Sequence, residues 1–331
     1  MMVAHWTPEK LHEVSSAFQE CRILLTASEL DLFTKLKRNP RSVGELARDE
    51  DWDARGLRIL MDALSAEGLL EKSEDGVYRV AEPAATALVR GEEESILPMV
   101  LHRAHMWRTW SNLTEIVRTG RNPSNIMVSR TEDELRSFIG AMHVVGKKLA
   151  KIIAASMDLA PYNRLLDLGG GSGTYTMAFL ERAPHMTATL FDVPEVVELA
   201  RQRLSQEGYS GRVDLVAGDY SRDELPGGHD LALLSAIIHS NGPEENRRLY
   251  SRVHRCLEPG GVILIRDFIM DHSRTKPPDG ALFAVNMLAA TQNGDTYTYE
   301  EVRKDLETSG FKDVRMIRDG EHMDQLVAGT K

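Results

Sequence analysis

The sequence predicts an α/β protein: a doubly wound parallel sheet preceded by a helical N-terminal region built as a winged helix. Three observations carry that expectation. Short apolar runs at 164–168, 187–191, 213–217, 231–238 and 262–265 alternate with helical stretches, and they are hydrophobic on both faces. That is how parallel strands read when helices cover both sides. A glycine-rich loop follows the first run and opens a helix. Residues 41–80 read helix, turn, helix, hairpin.

With 331 residues the chain has room for about two domains. Its 42% apolar and 27% charged residues are those of a globular protein with a large core. The net charge of −10 makes it a poor default binder of nucleic acid or of an anionic membrane. Cys21 and Cys256 cannot form a disulfide framework, which points to a reduced, cytoplasmic setting. No signal peptide, membrane span, internal repeat or metal-ligand cluster is visible, so no metal is expected.

Thr7-Pro8-Glu9 opens a helix with a capping hydroxyl, a proline in the first turn and an acid on the positive end of the dipole. Leu11, Val14, Phe18, Cys21 and Leu25 then form an apolar stripe too large for a lone surface helix, and a break is expected at Ser28. A short helix through Leu30, Phe33 and Leu36 stops at Asn39-Pro40. Ser42 and Glu45 form a capping box, a helix spans Arg55–Glu67, and residues 69–72 and 77–80 form a hairpin. From Pro98 to Ala160 the chain reads helical, with a break at Gly120–Pro123.

In the glycine loop the order is Asp167-x-Gly169-x-Gly171-x-Gly173. A dinucleotide fingerprint would need its third glycine at 174, which is Thr174. An acid ahead of the first glycine would repel a pyrophosphate and attract a cofactor carrying an ammonium and a sulfonium. Asp192 ends the second strand, 25 residues past Asp167, where a carboxylate accepts both hydroxyls of a ribose. Gly218-Asp219-Tyr220 ends the third, with Asp219 placed for an adenine amino group and Tyr220 for its ring.

In these motifs the chain resembles the S-adenosylmethionine-dependent small-molecule O-methyltransferases of the caffeate and hydroxyindole type. The resemblance covers nearly the whole chain. It implies a Rossmann-like, mostly parallel seven-stranded sheet and three regions: a winged-helix dimerisation domain over 1–95, a helical connector over 96–160 that contributes to the substrate pocket, and a catalytic domain over 161–331. It implies a homodimer acting on a small aromatic or quinol-like hydroxyl, without metal. Gly169 and Gly171 would contact the amino-acid end of the cofactor, Asp192 with Val193 the ribose, Asp219 and Tyr220 the adenine, and Ser235 the methionine moiety. His239, after the fourth strand, would remove the acceptor proton, oriented by Asp267. Where the family reads His-Asp-Trp this chain reads His239-Ser240-Asn241, and at the position of a second orienting acid it has Thr296. Pocket candidates are His105, Met106, Trp107, Trp110, Met142, Phe283, Asn286 and Met287, although such a set is more often core.

Three other readings stay open. A winged helix suggests a DNA-binding regulator, but residues 41–72 hold five basic and eight acidic side chains, a sign that repels phosphates. The incomplete set around His239 is compatible with a cofactor-binding protein that has lost catalysis. Methyl transfer to carbon or nitrogen is the third, since a cofactor site does not name the acceptor atom. His229, His254 and His272 read as solvated loop or helix residues.

Overall fold

The computed structural model describes residues 6–82, 84–121 and 131–331. The chain divides into two compact units, Met1–Trp107 and Arg108–Lys331.

In the first unit Thr7 caps α1 (Pro8–Ser16) by accepting the Lys10 N–H. α2 (Phe18–Glu29) follows a bend at Ala17, and α3 (Leu32–Arg38) follows Asp31, whose φ of 54° ends the preceding helix. The break expected at Ser28 therefore lies further on. The Ser28 hydroxyl donates to the Leu24 carbonyl inside the helix, so it does not compete with the backbone and the turn passes to Asp31. β1 (Arg41–Ser42), α4 (Val43–Glu50), α5 (Ala54–Ala66), β2 (Leu70–Lys72) and β3 (Val77–Val80) build the winged helix. The Ser42–Glu45 capping box forms, and Asp53 caps α5. β1 joins β3, so the wing has three strands. Leu25, Phe33, Leu36, Met61, Leu64 and Tyr78 form a closed core. By contrast Leu11 and Phe18 stay 55% and 54% exposed. α6 (Ala84–Ala87) and most of α7 (Leu97–Trp110) finish the unit.

The second unit begins with the end of α7, α8 (Leu113–Thr119) and α9 (Glu132–Ala155), whose Thr131–Glu134 capping box fixes its start. Then come β4 (Arg164–Leu168), α10 (Thr174–Arg182), β5 (Thr187–Asp192), α11 (Pro194–Gln206), β6 (Val213–Ala217) and β7 (His229–Ser235). α12 (Pro243–Cys256), β8 (Leu257–Asp267), β9 (Ile269–Met270), α13 (Pro278–Ala290), β10 (Tyr297–Thr298), α14 (Tyr299–Thr308), β11 (Lys312–Arg318) and β12 (Gln325–Thr330) complete it. Seven strands form one sheet in the order β11-β12-β8-β7-β4-β5-β6; β4 to β8 run parallel, β12 pairs antiparallel with both β8 and β11, and so β12 alone runs against the others. Strand alternation sends Leu165, Leu231, Leu233 and Leu264 to one face, against Ile153, Phe179 and Leu204. Leu166, Leu234, Ile263 and Ile265 face the other way, against Tyr250, Val253 and Leu306.

β4, β5 and β6 step outward in one direction, and β7 and β8 in the other. The carboxyl ends of β4 and β7 therefore flank the crevice where such sheets bind ligands. β7 stops at Ser235, short of the expected Ile238, because Ala236 takes a φ of 59° and turns the chain out of the sheet. His229 is not solvated. It is 1% exposed at the start of β7, with Nε2 2.8 Å from Thr189 Oγ1 and Nδ1 3.1 Å from the Pro226 carbonyl, a partnership that only the paired sheet creates. His254 lies on α12 edge-on to Phe311, while His272 is exposed. Among the described residues no helix is long and apolar enough to cross a membrane.

Candidate active site

Gly169 has a φ of 69°, and a Cβ there would lie 2.4 Å from Ile237 Cδ1, so only glycine lets the loop turn under that side chain. Gly171, with a φ of 56°, faces open space where a ligand can approach the backbone. Its N–H donates to Asp192 Oδ2 at 2.8 Å, and the Val193 N–H donates to Asp192 Oδ1 at 2.8 Å. These bonds fix the Asp192 carboxylate at the rim and leave lone pairs free, while burial raises its pKa. Asp167 lies deeper, 1% exposed, with Oδ2 accepting the Thr176 hydroxyl at 2.5 Å. Burial pushes its pKa up to about 6, and the nearby Asp192 charge adds to the rise.

The loop after β6 closes on itself. Asp219 Oδ1 accepts from the Ser221 N–H and hydroxyl, and Oδ2 accepts from Arg222 Nε. A Cβ on Gly218 would lie 2.5 Å from Phe191 Cζ, so this position must stay bare for the loop to pack. Tyr220 stands near Gly169, its phenol pushed up to about 12 by burial, and its carbonyl accepts from Arg252.

At the end of β7 the turn at Ala236 leads into one 3₁₀ turn, Ile238–Ser240, which carries His239. His239 Nδ1 lies 2.8 and 2.9 Å from the two oxygens of Asp267, which is 0% exposed at the end of β8. The Phe268 N–H also donates to Asp267 Oδ1, at 2.9 Å. A carboxylate at Asp267 accepts from Nδ1–H, which leaves the imidazole's free lone pair on Nε2. Phe283 of α13 stands edge-on to the imidazole, with centroids 4.8 Å apart. The Asp295 N–H donates to the His239 carbonyl, but the Asp295 side chain turns to the Thr296 N–H and Arg274. Thr296 is 2% exposed. His239 thus has one carboxylate partner.

Two family descriptions match this chain: the O-methyltransferase domain over residues 110–312 and the O-methyltransferase dimerisation domain over residues 12–90. The chain belongs to the O-methyltransferase family. Among its relatives, the tetracenomycin polyketide synthesis 8-O-methyl transferase TcmO of Streptomyces glaucescens is 33% identical over 315 residues, 93% of this chain and 92% of that one. The 3-hydroxy-5-methyl-1-naphthoate 3-O-methyltransferase of Streptomyces sahachiroi is 32% identical, over 94% and 91% of the two chains. Human N-acetylserotonin methyltransferase, solved in complex with SAM, superposes with a TM-score of 0.82 at 26% identity, covering 100% of this chain and 99% of that one.

In this O-methyltransferase α13 carries three of the expected pocket residues. Phe283 borders His239, Asn286 Oδ1 accepts from Trp110 Nε1 at 3.0 Å, and Met287 is 6% exposed. Met142 is 37% exposed on α9, where its neighbour His143 places Nδ1 2.9 Å from Thr174 Oγ1 beside the glycine loop. Burial, with help from Arg203 and Lys147, lowers the His143 pKa to about 4, so this imidazole is neutral at pH 7. His105, Met106 and Trp107 belong to the N-terminal unit, where the Arg22 guanidinium lies 5.7 Å from the Trp107 ring centroid.

Two residues at this edge escaped the sequence reading. Thr176 holds Asp167, and Arg266 sits buried between Ser235 and Tyr175. The signal for Arg266 was present: a lone cation inside the apolar run that ends at Asp267.

Proposed function

We propose that this O-methyltransferase moves the methyl group of S-adenosylmethionine to a phenolic hydroxyl on a fused-ring aromatic acceptor, with His239 taking the proton and without a metal. The observation that carries the reading is the buried His239–Asp267 pair at the end of β7, beside the ligand crevice and against the Phe283 ring. The acceptor class rests on the relatives, named for a polyketide and for a hydroxynaphthoate.

The residues present fit the cofactor. Gly171 leaves room at the backbone, and Asp192 offers free lone pairs at the rim to ribose hydroxyls, with Val193 beside it. Gly169, Asp167 and Ser235 surround the amino-acid end, and Gly218, Asp219 and Tyr220 the adenine. The cofactor supplies an electrophilic methyl on a positively charged sulfur. His239 Nε2 accepts the phenol proton as the oxygen lone pair forms the new C–O bond, and the C–S electrons remain on sulfur. A phenol of pKa ~10 is mostly protonated at neutral pH, so an imidazole within hydrogen-bond reach matters. Asp267 keeps Nδ1 protonated and steadies the imidazolium that forms.

The test is methyl transfer from labelled cofactor into a panel of hydroxynaphthoates, hydroxyindoles and quinols, with and without a chelator. Methyl located on ring oxygen, at a rate the chelator leaves unchanged, is the expected result. A product methylated on carbon or nitrogen, or turnover lost on chelation, contradicts it.

We further propose that the exposed Leu11, Val14 and Phe18 meet a second copy of the chain, a reading the matched dimerisation domain supports. Leu11→Asp with Phe18→Asp should shift the protein from dimer to monomer in sedimentation. An unchanged dimer places the interface elsewhere.

A further inference from the structure

Arg266 is a buried cation, 4% exposed, that no anion pairs with among the described residues. Its hydrogen bond, Nη1 to Ser235 Oγ, is long at 3.4 Å, and its Nε is buried without a partner. The guanidinium lies 5.3 Å from the centroid of the Tyr175 ring. The Tyr175 hydroxyl is likewise buried with no hydrogen bond of ordinary geometry, although Ser235 lies nearby. Desolvated charges persist in folded proteins when something pairs with them. Here the protein supplies only a neutral hydroxyl and a ring face.

The position says what completes the pairing. Along β8, Val262 and Leu264 face the core beneath α9, α10 and α11, and Arg266 continues that face one step past it. Ser235 does the same after Leu231 and Leu233, and Asp167 after Leu165. The three polar residues therefore cap one side of the sheet at its carboxyl edge, and Tyr175 lies within electrostatic reach of Asp167, Arg266 and Asp267. Asp267, one residue on, points to the opposite face and His239. One side of the crevice thus holds a buried carboxylate without a cation and a buried guanidinium without an anion. A free α-amino acid group, ammonium and carboxylate on one carbon, neutralises both.

We propose that Arg266, assisted by the Tyr175 hydroxyl, binds the carboxylate of the cofactor's amino-acid portion. The proposal rests on the S-adenosylmethionine reading above. The planar guanidinium has five donors, which suits two-point binding of a carboxylate, and among the described residues only Ser235 takes one of them.

Calorimetry with S-adenosylhomocysteine and its decarboxylated analogue separates the outcomes, because the two ligands differ only in that carboxylate. The wild type should prefer the carboxylated ligand by about ten- to a hundredfold. Arg266→Met should abolish the preference, weakening S-adenosylhomocysteine by that factor and leaving the decarboxylated analogue unchanged. The ligand-free variant should melt no lower than wild type, since an unpaired buried cation has been removed. Tyr175→Phe should weaken only the carboxylated ligand, by a few-fold. It decides the matter should Arg266→Met not fold. Equal weakening of both ligands, or of neither, overturns the assignment. A wild type that binds neither ligand refutes the cofactor reading itself.

Discussion

β4 and β8 carry aspartates that are both buried and are held in opposite ways. Asp267 is satisfied from within: both its oxygens face His239 Nδ1, and the Phe268 N–H donates to one of them. Asp167 is held by Thr176, through its hydroxyl and more weakly its backbone N–H, with no cation paired to it among the described residues, and burial drives its pKa up to about 6. One carboxylate orients a neighbour and needs nothing more. The other is left short of positive charge beside a loop whose Gly171 opens to ligand. The difference separates the work of the two edges. At β8 the protein holds an imidazole oriented in advance, and at β4 it leaves a buried carboxylate short of positive charge.

The largest effect expected from that division is on turnover. His239→Ala removes the proposed base, and general-base assistance is worth about 10²–10⁴ in rate. Turnover on a phenol of ordinary pKa should fall by about that factor at neutral pH, while S-adenosylhomocysteine affinity in calorimetry stays unchanged. The loss should shrink for acidic phenols and at alkaline pH, where the acceptor arrives ionised. Asp267→Asn should cost less, because it removes orientation and not the base. Full turnover by His239→Ala on a high-pKa acceptor would place the base elsewhere or leave proximity as the whole mechanism.

A smaller effect is expected from the rim. Asp192→Ala removes a charged acceptor whose geometry the Gly171 and Val193 N–H groups fix. Affinity for S-adenosylhomocysteine should fall roughly thirty- to a hundredfold, or about 2–3 kcal/mol. Turnover at saturating cofactor should remain within a few-fold of wild type. Unchanged binding would remove Asp192 from the site.

Legibility in the sequence follows the same division. The β4 and β5 edge was readable because its parts are local: Asp167, three glycines and the start of α10 lie in one stretch, and Asp192 ends the very next strand. Its strands were placed within a residue or two for the same reason. The β7–β8 edge depends on pairs that only the folded sheet creates. His239 and Asp267 are 28 residues apart and came from a family resemblance, not from spacing. Phe283 touches the imidazole through α13, a contact no periodicity encodes. His229 reads as solvated because its partner Thr189 lies 40 residues earlier in the chain. Ser28 reads as a break because its hydroxyl can end a helix or bond back within it, and residue type does not decide between the two.

The last expected effect concerns Asp167 alone and is one of stability, with no bearing on turnover. Its folded-state pKa lies above its ordinary 3.8, at about 6, so the folded protein binds this proton more tightly than the unfolded chain does. The stabilisation from that proton is complete below about pH 4 and is lost as the pH rises through about 6. At pH 7 and above the ligand-free protein therefore carries a buried, underpaired charge, a cost of up to about 3 kcal/mol at 1.36 kcal/mol per pKa unit. Asp167→Asn keeps an acceptor for the Thr176 hydroxyl and has no charge to bury. Its melting temperature minus that of wild type should be near zero or negative at pH 4 and should become positive by pH 7.5. The expected shift is several degrees, at about 2–4 °C per kcal/mol for a unit of this size. Because the comparison is a difference between two proteins, the other titrating groups cancel. Saturating S-adenosylhomocysteine should reverse the order at pH 7.5, since its ammonium favours the ionised aspartate that only the wild type has. A difference in melting temperature that does not change with pH would mean that Asp167 is charged and satisfied without ligand, and the contrast with Asp267 would fall.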